Sequence, residues 1–246
     1  MEKSTEMSLR NHTGLQMSPI HARELLAAQK EFQPENQDTE AADLMRRQYI
    51  AEGDTLGTVP PPATAKGMAK TGMQAMTGLR PQVLVDKLGE RLAFERSGTR
   101  LYDAMLRKCE GAGLPPGVTL EQLAHIRDEE AGHAELLAQA IEMLGADPTV
   151  QTPDAVATGV EGMGLMQAVN DPRTTPVQCL HTLLIAELAD TASWELLIQL
   201  AEHCQQVELA TRFRNALDAE LRHAALVSDW YRSAVLQDVQ LAATRH

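Results

Sequence analysis

Two seven-residue strings constrain this chain more than any other feature: Asp128-Glu129-Glu130-Ala131-Gly132-His133-Ala134 and Asp218-Ala219-Glu220-Leu221-Arg222-His223-Ala224, which share the pattern D-x-E-x-x-H-A. In each, a carboxylate and an imidazole stand three residues apart, so on a helix they share one face. Both pairs interrupt apolar stripes of helical period. Leu123, Ile126, Glu130, His133 and Leu137 form one stripe, and Phe213, Ala216, Glu220, His223 and Val227 the other. Such stripes face a core, so the polar pairs point inward.

A lone glutamate precedes each string in a similar stripe. Glu95 lies amid Val85, Leu88, Leu92, Thr99, Tyr102 and Leu106, and Glu187 amid Leu180, Leu184, Thr191, Trp194, Ile198 and Ala201. Thr99 and Thr191 follow their glutamates at four residues, and Tyr102 and Trp194 at seven. Glu95 to Glu130 is 35 residues (130 minus 95), and Glu187 to Glu220 is 33 (220 minus 187). An antiparallel hairpin over either interval brings its three polar residues level, so the chain from residue 81 reads as two related helical hairpins.

The helix punctuation agrees. A first helix runs from about Pro81 to Glu110 and stops at Gly111-Ala112-Gly113, and a second starts at Thr119, with Gln122 completing a capping box, and ends at Gly145. Thr175, Pro176 and Gln178 open a third, and a fourth follows a short turn near Cys204–Val207. Between Gly145 and Thr175 the chain has length enough to cross a bundle from end to end. The expected fold is all-α: an antiparallel four-helix bundle at 81–246 with one long crossover between its second and third helices. Residues 1–80 read as an extension with short helices around His21–Lys30 and Glu40–Ala51, interrupted by Pro34 and followed by Pro60–Pro62. Met68, Met73 and Met76 near its end fit a loosely packed amphipathic segment.

The net charge of -12 divides into -1 over residues 1–80 (9 basic, 10 acidic) and -11 over 81–246 (13 basic, 24 acidic), which repels phosphate backbones and argues against a nucleic-acid partner. No stretch approaches the ~18 apolar residues of a membrane span. The opening residues lack the apolar middle of a secretion signal, so a cytoplasmic location is expected. Cys109, Cys179 and Cys204 form no C-x-x-C pair, which argues against a disulfide framework or a thiolate metal centre.

Four carboxylates in a core repel one another and resist desolvation unless something positive compensates them. Two divalent ions bring +4 against -4, and neutral imidazoles add affinity for transition metals. A dinuclear centre held by Glu95, Glu130, His133, Glu187, Glu220 and His223 is the expected site.

One Glu from each of two helices and Glu-x-x-His from each of the other two resembles the ligand set of the ferritin-like di-iron and di-manganese carboxylate proteins, bacterioferritin and rubrerythrin above all. The resemblance covers 81–246 and leaves the extension aside. It implies two iron ions, or two manganese or a mixed pair, with one pair of glutamates, Glu130 and Glu220 or Glu95 and Glu187, bridging them. It implies that Tyr102 hydrogen-bonds the cluster or supplies an electron. The implied activity is oxidation of Fe²⁺ or reduction of O₂ or H₂O₂, in iron handling or peroxide defence, by a homo-oligomer of at least two chains. An external reductant is expected, because the four-cysteine iron centre of rubrerythrin has no counterpart. Alternative readings are manganese-catalase-like disproportionation of peroxide, a metal-stapled interaction module, and oxygenation of an organic substrate. Outside the set, His125, His181 and His203 read as surface or core histidines, Glu90, Glu129 and Glu135 as solvated, and Asp128 and Asp218 as surface ion-pair partners.

Overall fold

A computed structural model describes residues 8, 10, 13–14, 17–32, 39–65, 67–69, 72 and 80–243. Met73, Met76 and Pro34 lie outside them, and Met68 is exposed. The chain divides into two compact units, one of Ser4–Asp54 and one that runs on from Thr55. The first holds α1 (Pro19–Glu31) and α2 (Glu40–Glu52), neither of which has a buried residue.

The second unit is built on four long helices: α3 (Pro81–Ala112), α4 (Leu120–Met143), α7 (Pro176–His203) and α8 (Val207–Ala243). Both capping boxes form as the sequence predicts. The Thr119 hydroxyl accepts from the Gln122 amide while the Gln122 side chain accepts from the Thr119 amide, and Thr175 and Gln178 do the same. These reciprocal bonds satisfy amide groups that the first turn of a helix leaves without carbonyl partners. The described residues contain no strand.

The crossover departs from a plain connecting segment, since it contains α5 (Pro153–Glu161) and α6 (Met163–Asn170). It is fastened to α3 at both ends. Thr152 Oγ1 donates to the Asp86 carbonyl at 3.3 Å, the Asp154 amide donates to the Asp86 carboxylate at 3.0 Å, and Lys108 Nζ donates to the Thr174 carbonyl at 3.2 Å. Since α7 starts beside the end of α3, those two helices run antiparallel. Gly89 permits the first fastening, because a Cβ there would lie 2.5 Å from Thr152 Oγ1.

The bundle interior is not one continuous apolar core. Leu88, Leu137, Trp194, Leu197 and Phe213 belong to one buried cluster, and Met105, Leu123, Leu180, Leu183 and Val227 to another. The six polar residues of the paired hairpins lie on the same helices between these two sets of positions, all buried. The hydrophobic effect favours each half separately, while the middle is left to electrostatics.

Candidate metal centre

The structure brings all six together at mid-bundle. Glu95 is on α3, Glu130 and His133 on α4, Glu187 on α7, and Glu220 and His223 on α8. Their ligand atoms form two groups, each within 4.8 Å: Glu95, Glu130, His133 and Glu220, and Glu130, Glu187, Glu220 and His223. Glu130 and Glu220 belong to both groups, whereas the other four each belong to one. Within them His133 Nδ1 lies 2.6 Å from one Glu220 oxygen, and His223 Nδ1 lies 3.3 Å from the other.

Buried polar atoms in native proteins are nearly always hydrogen-bonded. Here Glu95 Oε2, Glu130 Oε1, His133 Nδ1, Glu187 Oε2, both Glu220 oxygens and His223 Nδ1 make no hydrogen bond of good geometry, although the two imidazoles approach the Glu220 oxygens closely. Every candidate ligand thus has a free donor atom facing the others, and the donor chemistry of four carboxylates and two imidazoles fits two transition-metal ions. Two of the remaining oxygens are held from outside. Glu95 Oε1 accepts from Trp194 Nε1 at 3.0 Å and Arg91 at 2.8 Å, and Glu187 Oε1 accepts from the Tyr102 hydroxyl. The residue seven positions after each lone glutamate therefore reaches across to the opposite one. Thr99 and Thr191 bond the carbonyls of their own glutamates at 2.9 and 3.0 Å, the same repeat in smaller form.

The family model described as Ferritin-like domain matches residues 85–234, which includes all six residues. The chain belongs to the ferritin-like domain family. No curated protein and no solved structure gives a match.

Electrostatics shows why this ferritin-like interior calls for cations. Burial pushes the Glu130 carboxyl well above its usual range, with Glu95 and Glu220 adding to the shift. Burial raises Glu187 to about 8, again with Glu220 contributing. Burial opposes the ionised form of Glu220 too, yet His133 and His223 overcome it and hold that carboxyl at about 2. His223 is disfavoured as a cation by burial, but Glu220, Glu187 and Glu129 carry it to about 9. Without metal, the site is a set of shared protons and frustrated charges.

Three residues at the centre escaped the sequence reading. Arg91 and Asp190, each 2% exposed, form a buried ion pair between α3 and α7. Both lie within one turn of a site glutamate, and that helical spacing was the signal. Glu129, expected to be solvated, instead accepts from His223 across a 2.8 Å contact between its Oε2 and the ring Nε2, with Arg222 at 3.4 Å on its other oxygen. Neighbouring Glu130 in sequence, it sits on the face of α4 that meets α8. His125, His181 and His203 are exposed, and Asp128 pairs with Arg127 at the surface.

Proposed function

We propose that this chain is a dinuclear redox protein, with iron the first choice of metal, which oxidises Fe²⁺ or reduces O₂ or H₂O₂. The observation that carries the reading is the pair of overlapping ligand groups, with unpartnered donor atoms on every member. In this reading Glu130 and Glu220, which belong to both groups, would serve both metal positions, and Glu95 with His133 and Glu187 with His223 would complete one position each.

When bound, the metals supply electrons and open coordination positions to the oxidant. The protein supplies geometry and protons. Arg91 and Trp194 fix one oxygen of Glu95, leaving the other for a metal, and Tyr102 does the same at Glu187. Burial keeps the Tyr102 phenol protonated, so it acts there as a hydrogen-bond donor. Flanking apolar clusters exclude bulk water from both ends of the site.

The reductant is external in this reading, since the three free, buried cysteines cannot make up the four-cysteine iron centre of rubrerythrin. A homo-oligomer of at least two chains belongs to the same reading, supported by exposed Ile185, Leu188 and Leu196 on α7. Iron handling or peroxide defence is the corresponding role.

The test is anaerobic loading of the metal-free full chain with Fe²⁺, followed by O₂ and then H₂O₂ with optical detection of Fe³⁺. The expected result is two irons per chain, oxidised by one of the two oxidants, and a stoichiometry below two in Glu220→Ala with helical content retained. Oxygen evolution from peroxide with manganese alone would favour catalase chemistry. Two ions bound without turnover would favour a structural staple joining the two halves of the core.

A further inference from the structure

The two halves of the centre are related by the sequence repeat, and superposing their registers shows where that relation breaks. Glu129 immediately precedes Glu130, and the corresponding residue before Glu220 is Ala219. Glu129 contacts His223 Nε2 at 2.8 Å, whereas buried Ala219 has no polar group to offer His133. The second break lies on the lone-glutamate helices. Arg91 stands four residues before Glu95, and Leu183 four before Glu187. The Arg91 guanidinium donates to Glu95 Oε1 at 2.8 Å, while Leu183 is buried among apolar side chains.

Both breaks act on metal affinity in the same direction. A carboxylate on the far nitrogen of a ligating imidazole orients the ring, fixes its tautomer and raises its basicity as a ligand. His223 has that support and His133 lacks it. A guanidinium bonded to a ligating carboxylate withdraws its charge and repels an incoming cation. Glu95 bears that load. Asp190 pairs directly with the same Arg91 nitrogen and offsets its charge, but the guanidinium is the end of the pair that touches Glu95. Each lone glutamate also accepts from a neutral donor, Glu187 from the Tyr102 hydroxyl and Glu95 from Trp194 Nε1, so Arg91 is a charged addition on the Glu95 side.

We infer that the two metal positions are unequal: the one completed by Glu187 and His223 fills first and tightly, and the one completed by Glu95 and His133 fills second and releases its ion more readily. Glu129 and Arg91 are the positioning residues that separate them. The inference rests on the dinuclear reading above. A readily exchanged second ion beside a retained first one is what a centre needs if one of its metals is also its substrate.

Anaerobic titration of the metal-free full chain with Mn²⁺, followed by electron paramagnetic resonance and equilibrium dialysis, tests it. The first equivalent should give an isolated Mn²⁺ signal, which the second converts into that of a coupled pair. Glu129→Gln keeps the side-chain shape and should weaken the first step about 10–100-fold, leaving the second nearly unchanged. The Arg91→Met and Asp190→Leu double variant removes the pair together and should narrow the gap between steps. His133→Ala should retain the tight step alone, and His223→Ala should lose it. Two equal affinities in the unmodified chain, or an unaltered first step in folded Glu129→Gln, would overturn the inference while leaving the dinuclear reading intact. A chain that binds no Mn²⁺ or Fe²⁺ would overturn both.

Discussion

Gly98 shows how a single missing side chain shapes the centre. It stands three residues after Glu95, one turn along α3, and a Cβ there would lie 2.3 Å from Glu130 Oε2. The corresponding residue after Glu187 is Asp190, which instead reaches Arg91. In an ordinary helix interior, Gly→Ala stabilises by about 1 kcal/mol. Gly98→Ala should keep the fold, because only the flexible end of Glu130 must move, but it should displace a carboxylate shared by both ligand groups. The expected outcome is unchanged or higher thermal stability of the metal-free chain together with reduced metal stoichiometry by equilibrium dialysis; full stoichiometry would show that Glu130 is not held by this contact. At this scale the six residues that meet at mid-bundle were legible from spacing alone. Arg91, Asp190 and Glu129 were not, because a charge on a helix reads as solvated until a neighbouring helix covers it.

Among elements, the long helices were legible because each carries its own start signal and a sustained apolar period. Thr175 shows the size of one such signal. Thr175→Ala removes the hydroxyl that caps the Gln178 amide, and should cost about 1 kcal/mol, lowering Tm by about 2–4 °C for a chain of this length. An unchanged Tm by circular dichroism would mean that packing alone sets the start of α7. The helices of the crossover illustrate the opposite case. The Thr152-Pro153 start was present in the sequence, but α5 and α6 have 9 and 8 residues. Helices so short are marginal alone, and their bonds to Asp86 and Lys108 depend on α3 being in place.

Across the whole molecule, the proposed metal binding would be linked to folding. In the metal-free chain Glu187 has its pKa raised from 4.5 to about 8 and His223 from 6.5 to about 9. The native state therefore holds more protons than the unfolded state across that interval, and stability falls as pH rises. Glu220, held at about 2, contributes in the other sense, its stabilisation being lost only as pH falls from 4.5 towards 2. The metal-free protein should accordingly gain Tm as pH is lowered from 9 to 5. A flat or rising profile towards pH 9 would contradict the buried cluster. Metal reverses the trend, because protons compete with it for the same atoms. An ion present at 100 times its Kd adds about 2.7 kcal/mol, or about 5–10 °C in Tm for a chain of this size, and a chelator should remove that gain in a calorimetric scan. No described helix is long and apolar enough to cross a membrane.

Sequence by itself determined the helices, their pairing into two hairpins and the six residues that meet between them, since period, caps and equal spacings are properties of the chain alone. Tertiary structure decided which glutamates are shared, which oxygen of each is left free, and how the two halves differ. Those facts depend on contacts between helices, where Glu129 reaches His223, Arg91 reaches Asp190 and Tyr102 reaches Glu187, and a one-dimensional pattern records the face of a helix but not the atom that arrives opposite it.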